Sequence, residues 1–455
     1  AAEGFDSAEL MKRYTTTGMG PSQGRLSGAA ALRILARLRG QAPGDVGATT
    51  ARPFERPVPL RQLAGRRLRP VRRSPLHDWH LARGARMMHA GHWLRPQAYG
   101  DGGAESVSRE CLAVRQRVGL VDVSTLGKIE AFGADAGELL ERVYTGRITS
   151  LKPGRTRYGL MVDEAGVITD DGVVARLDED RYYLSTTTTG AAHVHRELQR
   201  LALEWGLEAY LLDRTSQVGA MNLAGPRARD LLQPLTDVDL DPAAFPFLGA
   251  REGAVAGVPA LLLRVGFVGE LGYEIHVPAG QALHVWETLM DGGRAADIAP
   301  FGVDAQRQLR LEKGHLIVGQ DTDGTTTPWD VGMDWAVKLD KPFFVGQRSL
   351  EIQRGQPRRM LVGFALDPEH RGPLPQECHL VVQGPRIAGR ITSIGHSPSL
   401  GHALGLALVD GQAAAADHLD LRLGDGALVR ARVTAPPFYD PGNLRQQAEP
   451  APAAA

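Results

Sequence analysis

Two adjacent acids, Asp170 and Asp171, end the stretch RYGLMVDEAGVITDD and stand before Gly172. The run before them is apolar and β-branched, which suits a strand. Neighbouring strand side chains point to opposite faces. One carboxyl can therefore face a pocket while the other faces away. A carboxylate in a pocket without metal ligands is suited to holding or moving a proton on an amine nitrogen. Asp-Asp-Gly is also an ordinary turn or strand end. The surrounding chain decides between these readings.

A second acid has similar scope. In FVGELGYEIHV (267–277), Gly269, Glu270 and Gly272 read as a tight turn and Glu274 lies in the strand that follows. Alternation sets Glu274 opposite to Tyr273 and Ile275. An inward carboxylate needs hydrogen-bond donors. A pterin edge offers a suitable pair, a ring N–H and an exocyclic amine; a plain surface position on an edge strand is the alternative. STTTTG (185–190) is a run of hydroxyls in which Thr187 and Thr188 face opposite sides, and Thr189 is expected to cap a helix starting near Ala191. In LRLEKGH (309–315), Arg310 can fork onto a ligand carboxylate, such as a glutamyl tail, or onto an internal acid. The pairs His77/His80 and His193/His195 lack a third metal ligand at a usable spacing. No Gly-x-Ser-x-Gly element occurs, and neither Cys111 nor Cys378 sits in a nucleophile setting.

Bulk properties narrow the field. The 455 residues suggest about three domains. Lys+Arg and Asp+Glu balance at 52 each, which argues against a broad nucleic-acid surface. Two distant cysteines exclude a disulfide scaffold and a cysteine-held zinc or iron–sulfur site. No run of about 20 apolar residues is present to span a membrane. The first 25 residues lack an apolar signal core, so a cytoplasmic location is expected.

The elements that must position these residues fall into five stretches. Residues 1–40 read as a small helical segment, with Asp6 or Ser7 as cap and Leu32, Ile34, Leu35 and Leu38 at helical spacing. Its TTTGMGPSQGR loop fits neither phosphate-binding fingerprint. Residues 41–75 are proline-rich, with a basic cluster at 61–73, and read as an extended strap. Residues 76–355 interleave helical and strand patterns without a Gly-rich βαβ opening, so an α+β architecture is predicted. Residues 356–445 are short strands split by Gly, Pro and Asp, read as a C-terminal β-barrel. The tail 446–455 is expected to be disordered.

In this order the motifs resemble the folate-binding aminomethyltransferase family, which includes the glycine-cleavage T-protein and the C-terminal halves of sarcosine- and dimethylglycine-oxidizing enzymes. The residues that carry the resemblance are VGLVDVSTLGKIEAFGADA (118–136), GRTRYGLMVDEAGVITDDGVV (154–174), FVGELGYEIHV, LRLEKG and VGMDWAV (331–337). The segments before the core, GFDSAELMKRYTTTGMGPSQGR, GATTARPFERPVPL and RRSPLHDWHLARGARMMHAGHWLRPQAYG, are more similar to the α subunits of heterotetrameric sarcosine oxidases. The resemblance implies a T-protein-like multi-domain cloverleaf with a C-terminal barrel. In those α subunits a ferredoxin-like segment and a nucleotide-binding region come first. The chain is therefore expected to be a processed, truncated or separately encoded second half.

The resemblance also assigns roles. Asp171 becomes the catalytic carboxylate near a folate nitrogen, with Asp170 as its neighbour. Glu274 holds the pterin edge, Thr187 stands where the family has an Asn, and Phe267 replaces an aromatic that lines the pterin. Tyr158 and Arg310 complete the expected folate-binding set. A flavin on a β-type partner subunit would oxidise a small N-methyl amine to an iminium. The one-carbon unit would pass to tetrahydrofolate here, giving 5,10-methylenetetrahydrofolate. Flavin and NAD would reside on partner chains or on the missing N-terminal half; no metal, nucleic acid or membrane is expected. Two alternatives remain open: a free-standing aminomethyltransferase or folate-dependent demethylase, and a non-catalytic structural folate-binding subunit.

Overall fold

The computed structural model describes residues 1–53, 58–63, 70–356 and 359–447. Two compact units divide the chain, residues 1–70 and 71–455. Residues 64–69 of the basic cluster and 448–455 of the expected tail lie outside the described residues.

The first unit carries the two expected helices, α1 (Ala8–Thr15) and α2 (Gly28–Arg39). Ser7 is the cap of α1, its hydroxyl accepting from the Leu10 amide at 3.3 Å. Leu35, Ala36 and Val46 form a small core with Met11 against it. The helical spacing of α2 only half applies: Leu35 points inward, whereas Ile34 and Leu38 are exposed.

The second unit has the α+β composition expected. Its first helix used here is α3 (Ala104–Gln116). The central strands follow in chain order as β1 (Gly119–Asp122), β2 (Gly127–Phe132), β3 (Arg155–Val162), β4 (Ile168–Asp178), β5 (Arg181–Thr186), β6 (Tyr210–Asp213), β7 (Val218–Ala224), β8 (Ala250–Val255), β9 (Val258–Leu263) and β10 (Gly272–Pro278). They form two sheets. One has the order β3-β4-β5-β2-β6; the other runs β8-β9-β10-β7-β1 and ends on the short strand Ala299–Pro300. Helices α4 (Ala136–Val143) and α5 (Ala191–Glu204) pack Leu139, Leu140, Val194 and Leu198 on one face of the first sheet. Helix α6 (Ala282–Gly292) packs Val285, Trp286 and Leu289 on one face of the second. The remaining sheet faces meet where Ala175 and Tyr183 pack against Ala250, Leu263 and Val265. Six strands within 360–433 close the expected barrel around Phe364, Val381, Ile391 and Leu421.

A buried charge cluster joins these parts. Helix α7 (Val303–Glu312) ends in Glu312, which accepts from Arg115 of α3 at 2.6 Å and from Ser397 of the barrel at 2.6 Å. Arg115 also reaches Glu270 at 3.0 Å, and its guanidinium lies 4.2 Å from the ring centre of Tyr439. Arg445 closes on Glu270 at 2.8 Å from a short helix, Leu444–Gln447. That helix runs into the stretch expected as a disordered tail, because Gln446 is buried and Arg445 is drawn to the Glu270 carboxylate.

Removing Arg115 would leave Glu270 with Arg445 and the Tyr439 hydroxyl, and Glu312 without a cation among the described residues. Arg115→Ala is expected to lower stability by about 3–5 kcal/mol. Urea unfolding checks this, with Arg200→Ala, which breaks only surface pairs, as the small-effect comparison.

Candidate functional site

Strand β4 splits the acid pair as alternation requires. Asp170 faces the α5 side and is 2% exposed. Its carboxylate accepts from the Thr187 amide at 3.0 Å, the Thr187 hydroxyl at 3.0 Å and the Asp171 amide at 2.7 Å. Burial raises its pKa, and these donors work against that rise. Gly190 is required here, since a Cβ on it would lie 1.6 Å from an Asp170 oxygen. Thr189 is not the helix cap. Gly190 takes that position, and its amide donates to the Thr187 hydroxyl at 3.0 Å, so Thr187 closes the start of α5 and binds Asp170 together.

Asp171 points the other way. It shares its strand face with Val173 and Ala175, the face that meets the second sheet. It is half-buried, and its one side-chain partner is the Tyr158 hydroxyl, which donates at 2.8 Å. Burial pushes its pKa up to about 7; the Tyr158 hydrogen bond opposes the rise and the Asp170 charge adds to it. Burial, then the Asp171 charge, raise Tyr158 well above the usual phenol value, so it remains a donor. Trp335 of the VGMDWAV motif covers Tyr158, with ring centres 5.4 Å apart.

Glu274 lies on the facing wall. In β10 it is paired with Leu263 of β9 and Asn222 of β7, and it points opposite to the buried Tyr273 and Ile275 as alternation predicts. His276, two residues on and on the same face, contacts Glu274 at 3.3 Å through Nε2 and Tyr183 of β5 at 3.1 Å through Nδ1. Burial raises the Tyr183 pKa, so its hydroxyl is protonated and donates to Nδ1; the Nε2–H then donates to Glu274. One histidine thus joins the two sheets and orients the carboxylate. Lys128, wholly buried, adds positive charge nearby: burial pushes it down to about 8, while Asp122 and Glu274 work against that.

Asp171 and Glu274 thus lie on the facing sides of two sheets that pack together, with Tyr158 donating to Asp171 and Thr187 binding Asp170 on the other side of β4. Phe267 sits in the turn entering β10, half-buried, its carbonyl accepting from His315 at 2.8 Å and its ring 5.8 Å from the imidazole. Arg310 does not join the group. It is 1% exposed, pairs with Asp321 at 2.6 Å and donates to Ser393 at 2.6 Å, which leaves it in the internal ion pair. Sequence reasoning did not single out Trp335 or His276, which the structure sets beside Tyr158 and Glu274. Strand period alone places His276 beside Glu274, so that signal was available.

Asp171 carries a stability cost that depends on pH. Its folded pKa lies above the ordinary carboxyl value, so its contribution is fully present below about pH 4 and is lost as pH rises through about 7. Asp171→Asn is therefore expected to be more stable than the parent at pH 8, by at most about 4 kcal/mol, with the advantage vanishing near pH 4. Urea unfolding across that range tests it. Tyr158→Phe removes the one donor to the carboxylate and should move the titration upward.

Comparison with known proteins places this architecture. The family model for the GCVT N-terminal domain matches residues 76–341, and that for the glycine cleavage T-protein C-terminal barrel domain matches 359–440. The sarcosine oxidase A3 domain matches residues 1–66. Sarcosine oxidase subunit alpha of Rhizobium meliloti is 40% identical over 97% of this chain and 47% of its own length. The chain thus spans about half the length of such relatives. The aminomethyltransferase of Streptomyces coelicolor is 35% identical, over 81% of this chain and 98% of its own. The solved glycine cleavage system aminomethyltransferase T from Bartonella henselae has a TM-score of 0.73 at 28% identity, covering 82% of this chain and 99% of that one. By these matches the chain belongs to the glycine cleavage T-protein (GCVT) family.

Proposed function

We propose that this chain is the tetrahydrofolate-binding, α-type subunit of a cytoplasmic sarcosine oxidase-like complex that oxidises a small N-methyl amine. The observation that carries the reading is the pair of unlike carboxyls on the facing sides of the two sheets: Asp171, bonded to the Tyr158 hydroxyl and raised by burial, and Glu274, bonded to His276. The A3-domain match at 1–66 and the similarity to sarcosine oxidase α subunits along nearly the whole chain favour this over a free-standing aminomethyltransferase. A flavin-bearing β-type subunit is the proposed partner, with NAD also outside this chain.

The residues fit a reduced folate. Glu274 retains lone pairs beyond the one used by His276, enough to accept a ring N–H and an exocyclic amine together. Phe267 and Tyr158 offer aromatic walls, and Asp170 with Thr187 fixes the strand behind Asp171. Tetrahydrofolate, when bound, supplies the amine that captures the one-carbon unit as 5,10-methylenetetrahydrofolate. Asp171 holds the proton that this amine loses. A group titrating near 7 both takes and returns a proton at physiological pH.

Calorimetric titration of tetrahydrofolate into the full chain tests the reading. Binding is expected for the parent, at least tenfold weaker for Glu274→Ala, and little changed for Asp171→Asn. With the flavoprotein partner present, Asp171→Asn should release formaldehyde where the parent forms methylenetetrahydrofolate. Absence of binding by the folded parent, alone and with its partner, would sink the proposal.

A further inference from the structure

We infer that a separate site lies between helix α7 and the C-terminal barrel, and that it takes a small zwitterionic amino acid such as N-methylglycine. The inference stands apart from the folate reading above.

A cavity of about 150 Å³ opens there. Asp304, Arg307, Gln308 and Leu311 form one wall, and their spacing is one face of α7. The barrel strand Arg386–Ser397 contributes Ile394. Neither Asp171 nor Glu274 borders the space. Two groups at this wall are unspent. Gln308 is 8% exposed, yet its side chain has no hydrogen-bond partner among the described residues, and its Nε2 is sealed from the surface. Gly395 leaves the room it occupies, since a Cβ there would come 2.0 Å from the Gln308 Oε1. Arg310 spends its two Nη atoms on Asp321 and Ser393, but its Nε is also sealed and unpaired. Buried donors without acceptors are costly, and native structures satisfy nearly all of them. With no protein partner to hold it, the Gln308 amide can turn either end to the cavity. It therefore serves a carboxylate or an ammonium, and the charged neighbours decide which ligand fits.

Those neighbours are two arginines, Arg307 and Arg310, and two acids, Asp304 and Glu377. Arg307 spends only Nη2, on Glu377. Glu377 accepts from Arg307 and Gln320 through Oε1 alone, which leaves Oε2. Asp304 has only long contacts, 3.4 Å to Arg86 and 3.5 Å to Gln97. A simple anion would face both acids, and a simple cation both arginines. A zwitterion satisfies the two signs together: its ammonium meets the Asp304 and Glu377 oxygens, and its carboxylate meets Arg307 and the Gln308 amide. Size agrees, because a cavity of this volume holds a molecule of about six heavy atoms. Leu311 and Ile394 offer apolar surface to its methyl and methylene groups.

Saturation-transfer NMR on the full chain, with N-methylglycine, acetate and methylammonium as probes, reads the site directly. N-methylglycine is expected to bind, and each one-charge probe to bind at least about tenfold more weakly. Gln308→Leu, similar in size, should weaken N-methylglycine about tenfold, and Asp304→Asn by a similar factor. Thermal unfolding monitors both variants; Asp304 is partly exposed, so its variant serves where Gln308→Leu fails to fold. Tetrahydrofolate binding should be unchanged in both, which keeps this result distinct from the folate reading. Three outcomes overturn the inference: no binding of N-methylglycine to the folded parent, which leaves a cavity for water only; binding that the variants do not change; or a one-charge probe that binds as tightly as N-methylglycine.

Discussion

The buried guanidinium of Arg115 is the constraint on which the rest of the second unit depends. It holds Glu270 and Glu312 at once, with both carboxylates almost wholly buried. Glu270 stands in the Gly269–Gly272 turn that launches β10, so fixing it fixes where Glu274 begins to face the other sheet. Lys313 packs its stem so close to Gly269, at φ +82°, that a Cβ there would come within 2.1 Å of it. Glu312 ends α7 and carries the same anchor to Ser397 of the barrel. Buried ion pairs are poor sources of net stability, because desolvation offsets most of the attraction. What this one supplies is registry. Helix, turn, barrel and C-terminal segment meet at one cation and have one arrangement that satisfies every charge.

Four carboxyls around the site have different surroundings, and these assign their behaviour. Glu270 faces two guanidinium groups. Asp170 accepts from three donors that belong to its own and the neighbouring strand end. Glu274 has an imidazole N–H, with Lys128 in electrostatic range. Asp171 has one phenol donor and no cation partner among the described residues, and burial pushes it up to about 7. The difference between Asp170 and Asp171 arises from strand alternation. One residue along the chain changes the face, the donors and the proton affinity.

Much of this was legible in the sequence wherever the decisive physics is local. Alternation alone split Asp170 from Asp171 and set Glu274 against Tyr273 and Ile275. Short strands with turn residues between them indicated the closed barrel. The remainder depended on partners distant in sequence. For Arg310 the sequence left a ligand carboxylate and an internal acid equally open, because Asp321 and Ser393 reach it only in the fold. Thr189 looked like the cap because it is nearest to the helix, but the Thr187 hydroxyl, drawn back by Asp170, sits closer to the Gly190 amide. In α2, helical spacing identified the apolar positions but not which face would be covered.

The two sheets hold together around Asp171 although burial disfavours its ionised form. An ionised Asp171 at neutral pH is disfavoured by burial, and a loose site would relieve this by admitting water or by parting the sheets. Three features oppose that. Tyr183 and His276 tie the two sheets together at the level of Glu274. Tyr158 donates to Asp171 from the neighbouring strand, and its ring lies against Trp335. Asp170, Thr187 and Gly190 lock the strand behind it onto α5. Strain of this kind persists only when the surroundings over-determine the geometry. A hydrophobic replacement for Asp171 would relax the site and stabilise the fold. On the proposed reading, the proton that Asp171 holds is what offsets this cost to the fold.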